Sequence, residues 1–107
     1  MTVVFRSPDQ LTAADFEAAI DSPFEVPGPS PDLPLERLIL RQVVRQDPVE
    51  PSTRERFSLF LHGSRTDVAI DGQIVGLVHE VLGAMRLFMV PIGRNADGTV
   101  RYQIVFS

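Results

Sequence analysis

Two histidines, a few serines and a scatter of carboxylates are the groups in this 107-residue chain equipped for chemistry. His62 and His79 each stand at the end of a strand candidate, with Asp67, Asp71 and Glu80 near them in sequence. Two imidazoles and a carboxylate make a familiar metal triad, so the pair is the candidate metal site. In the simpler reading each is a strand-end polar group satisfied by backbone or water, because no i,i+2 or i,i+4 spacing puts both rings on one face. Ser58 and Ser64 are the candidate nucleophiles. His62-Gly63-Ser64-Arg65-Thr66 lacks the second glycine of a nucleophile elbow and the strand–turn–helix context it needs, so Ser64 reads as a turn residue. Asp15, Glu17, Asp21 and Glu25 are acidic but lack the alternating oxygen ligands and central glycine of an EF-hand loop; they read as a solvated face. There is no Gly-x-Gly-x-x-Gly and no Walker loop. The expectation is a protein that is not an enzyme, with no catalytic residue, no cofactor and no metal.

The elements that would position these groups are mostly strands. Val100, Tyr102, Ile104 and Phe106 alternate with Arg101, Gln103 and Val105, the period-2 pattern of a strand with one buried face. Met85–Val90 makes the strand before it, and Gly93-Arg94-Asn95-Ala96-Asp97-Gly98 supplies the residues a hairpin loop needs. Phe57, Leu59 and Leu61 alternate up to Gly63. Val68-Ala69-Ile70 and Gln73-Ile74-Val75 flank Asp71-Gly72, a strong hairpin signal; the second strand runs on to His79, and Leu82-Gly83 turns into the C-terminal pair. Leu35–Val44 is the longest strand candidate; its apolar parity switches, so either both of its faces are covered or a bulge lies near Arg37-Leu38. Gln46-Asp47-Pro48 and Pro51-Ser52 mark the loop after it.

Upstream, Val3-Val4-Phe5 reads as a short extended piece. Thr12 reads as the N-cap of a single helix over residues 12–20, with Asp15 three residues on and alanines supplying propensity. Leu11 and Phe16 have the spacing of a hydrophobic staple, and Phe16 with Ile20 should dock the helix on the sheet. Ser22-Pro23 ends it. Pro23, Pro27, Pro29, Pro31 and Pro34 make residues 23–34 an extended loop crossing the end of the fold; a ligand for SH3-type domains would need flanking basic residues that are missing. Residues 35–107 are antiparallel strands. One domain spans 1–107: mainly β, a small antiparallel barrel or sandwich of about six strands with one short N-terminal helix.

Composition narrows the function classes. With 44% hydrophobic and 22% charged residues and no cysteine, the chain is ordinary globular material without disulfides or zinc thiolates. Every basic residue is Arg, which codon composition explains without a functional demand. The net charge of −4 leaves no basic stripe for nucleic acid. No apolar run reaches the roughly 18–20 residues of a membrane span, and no signal peptide opens the chain. The chain is expected to be cytoplasmic as synthesised.

Several segments together resemble a known family: Phe57-Ser58-Leu59-x-Leu61-x-Gly63, Leu77-x-His79-x-x-Leu82-Gly83, Leu87-Phe88-Met89-Val90-Pro91-Ile92-Gly93 and Tyr102-x-x-Val105-Phe106. They are similar to those of small uncharacterised bacterial proteins grouped as a domain of unknown function (DUF6916-like), whose members tend to carry "LEHPxLG", "LFLVPVG" and "YEAVFN". The chain departs at Val78, where the family usually has Glu, and at Glu80, where it usually has Pro. The resemblance implies a shared fold and no catalytic residues. It also implies a place beside phage-tail-like collar proteins, and so a location within a phage-like particle.

The apolar strands leave a face for contacts, with Phe88, Tyr102 and Phe106 the partner-binding candidates. The expected function is a structural or interaction module with a protein partner or self-association, and with neither nucleic acid nor membrane. The alternative is a small-ligand-binding barrel or weak enzyme using His62 and His79.

Overall fold

The computed structural model describes residues 5–6, 10–30, 32–46 and 55–106. Seven strands and one helix follow in the order β1 (Phe5–Arg6), α1 (Ala13–Glu17), β2 (Pro23–Val26), β3 (Glu36–Gln46), β4 (Arg56–His62), β5 (Gln73–His79), β6 (Gly83–Arg94) and β7 (Val100–Phe106). Six of them form a closed antiparallel barrel in the order β6-β5-β2-β3-β4-β7, sealed by pairing of β7 with β6; β1 adds a short parallel ladder to β6. Mainly β with one short helix is therefore the observed class. Val3, Val4 and the loop expected around Asp47-Pro48 and Pro51-Ser52 lie outside the described residues.

Alternation places the core. Val100, Tyr102, Ile104 and Phe106 point inward from β7 beside Phe57, Leu59 and Leu61 of β4, and Leu77, Met85 and Met89 meet them from β5 and β6. Tyr102, Leu59, Leu61, Leu77, Met85, Met89 and Ile104 are all fully buried, so side chains fill the barrel as they do in other small barrels. The Tyr102 hydroxyl is satisfied there: it accepts the Ile70 N–H at 3.0 Å.

The helix begins as expected and ends early. Thr12 Oγ1 accepts from the Asp15 N–H at 3.2 Å, and Asp15 Oδ2 accepts from the Thr12 N–H at 2.9 Å, a reciprocal capping box. Residues 18–21 form a turn rather than further helix, closed by Asp21 in the left-handed region at φ 70° with its N–H donating to Leu40 O at 2.7 Å. That turn swings Ile20 outward to solvent, so Ile20 does not dock the helix. Phe16 and Ala13 are the buried residues of the helix, and the Phe16 ring lies 6.1, 5.9 and 5.4 Å from those of Phe24, Phe57 and Phe106. Polar anchors add to it: Arg45 forks onto both Glu17 oxygens at 3.0 and 2.6 Å and reaches Glu55 at 3.0 Å, and Glu55 accepts the Ala13 N–H at 2.8 Å.

Three expectations are corrected. The Pro-rich stretch is not wholly loop: Pro23–Val26 is a strand between β3 and β5, with Phe24 and Val26 inward. Pro23 is tolerated because it opens the strand, where a missing N–H breaks no ladder. The β3 bulge falls between Leu40 and Gln42, further along than Arg37-Leu38; it changes the inward parity from Leu38 and Leu40 to Val43.

Finally, Asp71-Gly72 is no hairpin and Val68–Ile70 no strand. Residues 63–72 are a long connection, and β5 instead turns into β6 through residues 80–82, with Gly83 at φ 84°. Gly72 has no positive φ, and the nearest atoms to an added Cβ there would be side-chain carbons, the Val90 Cγ1 at 3.2 Å and Phe88 and Val90 carbons at 3.9 Å. Gly83 has open space but a backbone that a β-branched residue resists. Gly83→Val is therefore expected to cost at least about 1–2 kcal/mol, and Gly72→Val less than about 1 kcal/mol. Urea midpoints of the two variants, measured side by side, check the ranking; equal losses would refute it.

Candidate functional site

The histidines do not share a site. His62 ends β4 and His79 ends β5; these strands are separated by β2 and β3 one way round the barrel and by β6 and β7 the other. His79 follows the inward parity of Val75 and Leu77, whereas His62 alternates with the inward Phe57, Leu59 and Leu61. Among the described residues no three His, Asp or Glu side chains gather as metal ligands. Partial burial, and then Arg41 and Arg101, lower the pKa of His62.

His79 sits in a network that fixes its chemistry. Its Nδ1 accepts two backbone N–H groups, from Val81 and Leu82, each at 3.1 Å. Nδ1 is therefore unprotonated and the proton rests on Nε2, 2.7 Å from Ser22 Oγ. Ser22 in turn donates to Ala19 O. Serine beside histidine invites a hydrolase reading, but the polarity is reversed. A general base needs a free Nε2 lone pair facing the hydroxyl, and here Nε2–H faces it while the backbone occupies Nδ1 where a carboxylate would stand. The ring, 4.5 Å from that of Phe24, is a buried strut that shapes the β5–β6 turn.

Burial lowers the pKa of His79 below its ordinary 6.5. A lowered folded-state pKa means that the unfolded chain takes up the proton first as pH falls. Stability is therefore expected to be full above about pH 6.5 and to decline below it until the folded-state value is reached. In a His62→Asn background, urea midpoints between pH 7.5 and 5.0 should show this decline, and His79→Gln should abolish it. A decline that persists in His79→Gln would assign it to other groups. The carboxylates of Glu17, Asp67 and Asp97, lowered by hydrogen bonds from Arg45, Arg65 and Thr99, lose protection only at more acid pH.

Three of the four acidic residues are matched rather than merely solvated. Arg37, Arg41 and Arg45, four apart along β3, reach Glu25 at 3.1 Å, Asp21 at 2.7 Å and Glu17 at 2.6 Å. Exposed pairs of this kind contribute little each; their value lies in holding β2 and α1 to β3 in one register. Nor was Glu36 singled out in the sequence, yet it is buried and its carboxylate accepts the N–H groups of Arg37, Ser64 and Arg65 at 2.8, 3.1 and 3.3 Å and the Ser64 hydroxyl at 2.5 Å. Ser64 is thus a turn residue tethering the 63–72 connection to β3. The only sequence signal was a glutamate at an inward position of an apolar strand.

Of the partner-binding candidates, Tyr102 and Phe106 are core residues, because their parity on β7 points inward. Phe88 has the opposite parity on β6 and is 59% exposed. It does not stand alone. Ile74, directly across the β5–β6 ladder, is 67% exposed, and Val105, one step beyond the Met89–Ile104 pair of the β6–β7 ladder, is 56% exposed.

With the barrel, its capped helix and this apolar row in place, the family match is informative: a domain of unknown function (DUF6916) aligns with residues 11–106. The chain belongs to this family. The match begins at Leu11, which precedes the Thr12 N-cap, and runs to Phe106 at the end of β7, so DUF6916 takes in α1 and all six barrel strands. Comparison with curated proteins and with solved structures gives no match.

Proposed function

We propose that this DUF6916 domain is a non-enzymatic interaction module that binds a protein partner or its own copies through the outward face of β5, β6 and β7. The observation that carries this reading is the contiguous row Ile74, Phe88 and Val105. Scattered exposed apolar residues are ordinary on a monomer, but a row spanning three adjacent strands is a patch that water hydrates poorly and that a partner would cover. Phe88 is its anchor by size and central position. The resemblance to proteins found beside phage-tail-like collar proteins extends the proposal to a structural role in, or accessory to, such an assembly. The reversed polarity at His79 and the packed barrel interior support a non-catalytic reading over a small-ligand barrel built on His62 and His79.

Phe88→Asp is the test. An exposed position tolerates the change within about 0.5 kcal/mol of stability, while a charge at the centre of an apolar contact should abolish association. Light scattering after size exclusion, together with co-purification with neighbouring gene products, should show an assembly with wild type and none with Phe88→Asp. A wild-type chain that stays monomeric and recovers no partner would end the proposal.

A further inference from the structure

A groove of about 330 Å³ lies between α1 and the β5–β6 turn, on a different part of the surface from the Phe88 row. Ala14, Ala18 and Ala19 form one wall, Val81 and Leu82 the other, and Ser22 and His79 lie between them. Its volume is at the low end for ligand sites, suited to one side chain rather than a large molecule. The polar atoms between the walls are already committed: both His79 nitrogens are engaged, and the Ser22 hydroxyl donates to Ala19 O. What remains for a visitor is acceptors, namely Glu80, which forms no ion pair among the described residues, and the second oxygen of Asp15, whose first takes the Thr12 N–H. No basic residue lines the groove.

We infer that this groove receives an arginine side chain of a partner protein. The chemistry is set by subtraction. An anion would meet two carboxylates and no basic side chain, and a neutral polar group would forgo the charge. A cation on an alkyl stem lays its methylenes along Ala14, Ala18 and the 79% exposed Val81 while its head reaches Glu80 and Asp15. A guanidinium suits two separated carboxylates better than a compact ammonium, because its donors fan out in a plane. The inference rests on the interaction-module reading only in assigning the cation to a protein; the groove itself is tested by a free probe.

Nα-acetyl-arginine methylamide, titrated at low salt into the labelled chain, should give saturable shifts at the Ala14, Ala18, Val81 and Leu82 resonances with a Kd on the order of millimolar. The citrulline analogue, isosteric but neutral, should not. Glu80→Gln should weaken the arginine probe about two- to fivefold, the range of an exposed ion pair, and Ala18→Gln, which fills the groove, should remove the shifts. Absence of saturable shifts, equal shifts with the citrulline analogue, or unchanged affinity in Glu80→Gln would overturn the inference. Phe88→Asp should bind the probe as wild type does, so loss of the apolar contact and loss of the groove are read separately.

Discussion

A chain lacking residues 100–107 is expected not to fold. β7 is the strand that seals the barrel: it pairs with β4 from Phe57–Phe106 to His62–Arg101 and with β6 from Met89–Ile104 to Arg94–Val100. Removing it exposes two ladders at once and takes Val100, Tyr102, Ile104 and Phe106 out of the core. At about 1.5–3 kcal/mol for each buried apolar side chain, the loss of those four is roughly 6–12 kcal/mol. A domain of this kind has only about 5–15 kcal/mol of net stability to lose. The hydroxyl that satisfies the Ile70 N–H also goes. The truncated chain should show neither cooperative melting nor native circular dichroism; a soluble truncation retaining both would show β7 to be an appendage, and would point the functional search toward strand exchange.

Phe16→Ala is expected to cost about 3–5 kcal/mol, the second-largest effect. The ring is fully buried and touches the aromatic rings of β2, β4 and β7 together, so its removal leaves a cavity at the meeting point of three strands. Phe57 and Phe106, stacked at 4.3 Å, hold each other in place and cannot both collapse into the gap. Ile20→Ala, by contrast, should cost less than about 1 kcal/mol, because that side chain already faces water. Urea denaturation of both variants checks the contrast. A Phe16→Ala midpoint equal to wild type would mean that the helix adds nothing to the barrel.

What the sequence made legible follows from how local each determinant is. The β7 alternation, the β4 alternation, the Thr12–Asp15 capping box and the Leu82-Gly83 turn are decided by residues within a few positions of one another, and each appears in the structure where the residues place it. Pro23–Val26 was obscured because five prolines dominate their neighbourhood, although Phe24 and Val26 already alternate between Pro23 and Pro27. Asp71-Gly72 failed for the opposite reason: its local signal was strong, but the 63–72 connection is held by long-range bonds, from Glu36 to Ser64 and from Tyr102 to Ile70. The site followed the same division. Phe88 could be read from its parity against Leu87 and Met89, but its neighbours Ile74 and Val105 join it only through strand pairing. The reversed polarity of His79 was invisible, since Ser22 is 57 residues away in the chain.

The wall of the barrel is not equally strong all the way round. Most neighbouring strands share long ladders, but β2 contributes four residues and meets β5 through one register pair, Glu25 with Val78. Local opening follows the path with fewest bonds to break, so the β2–β5 seam is where this barrel should part first. Amide protons of Glu25 and Val78 should exchange with solvent well ahead of those in the β4–β7 ladder. Because β2 closes against a strand some fifty residues later in the chain, the same seam is a non-local contact, of the kind that forms slowly as well as opening early.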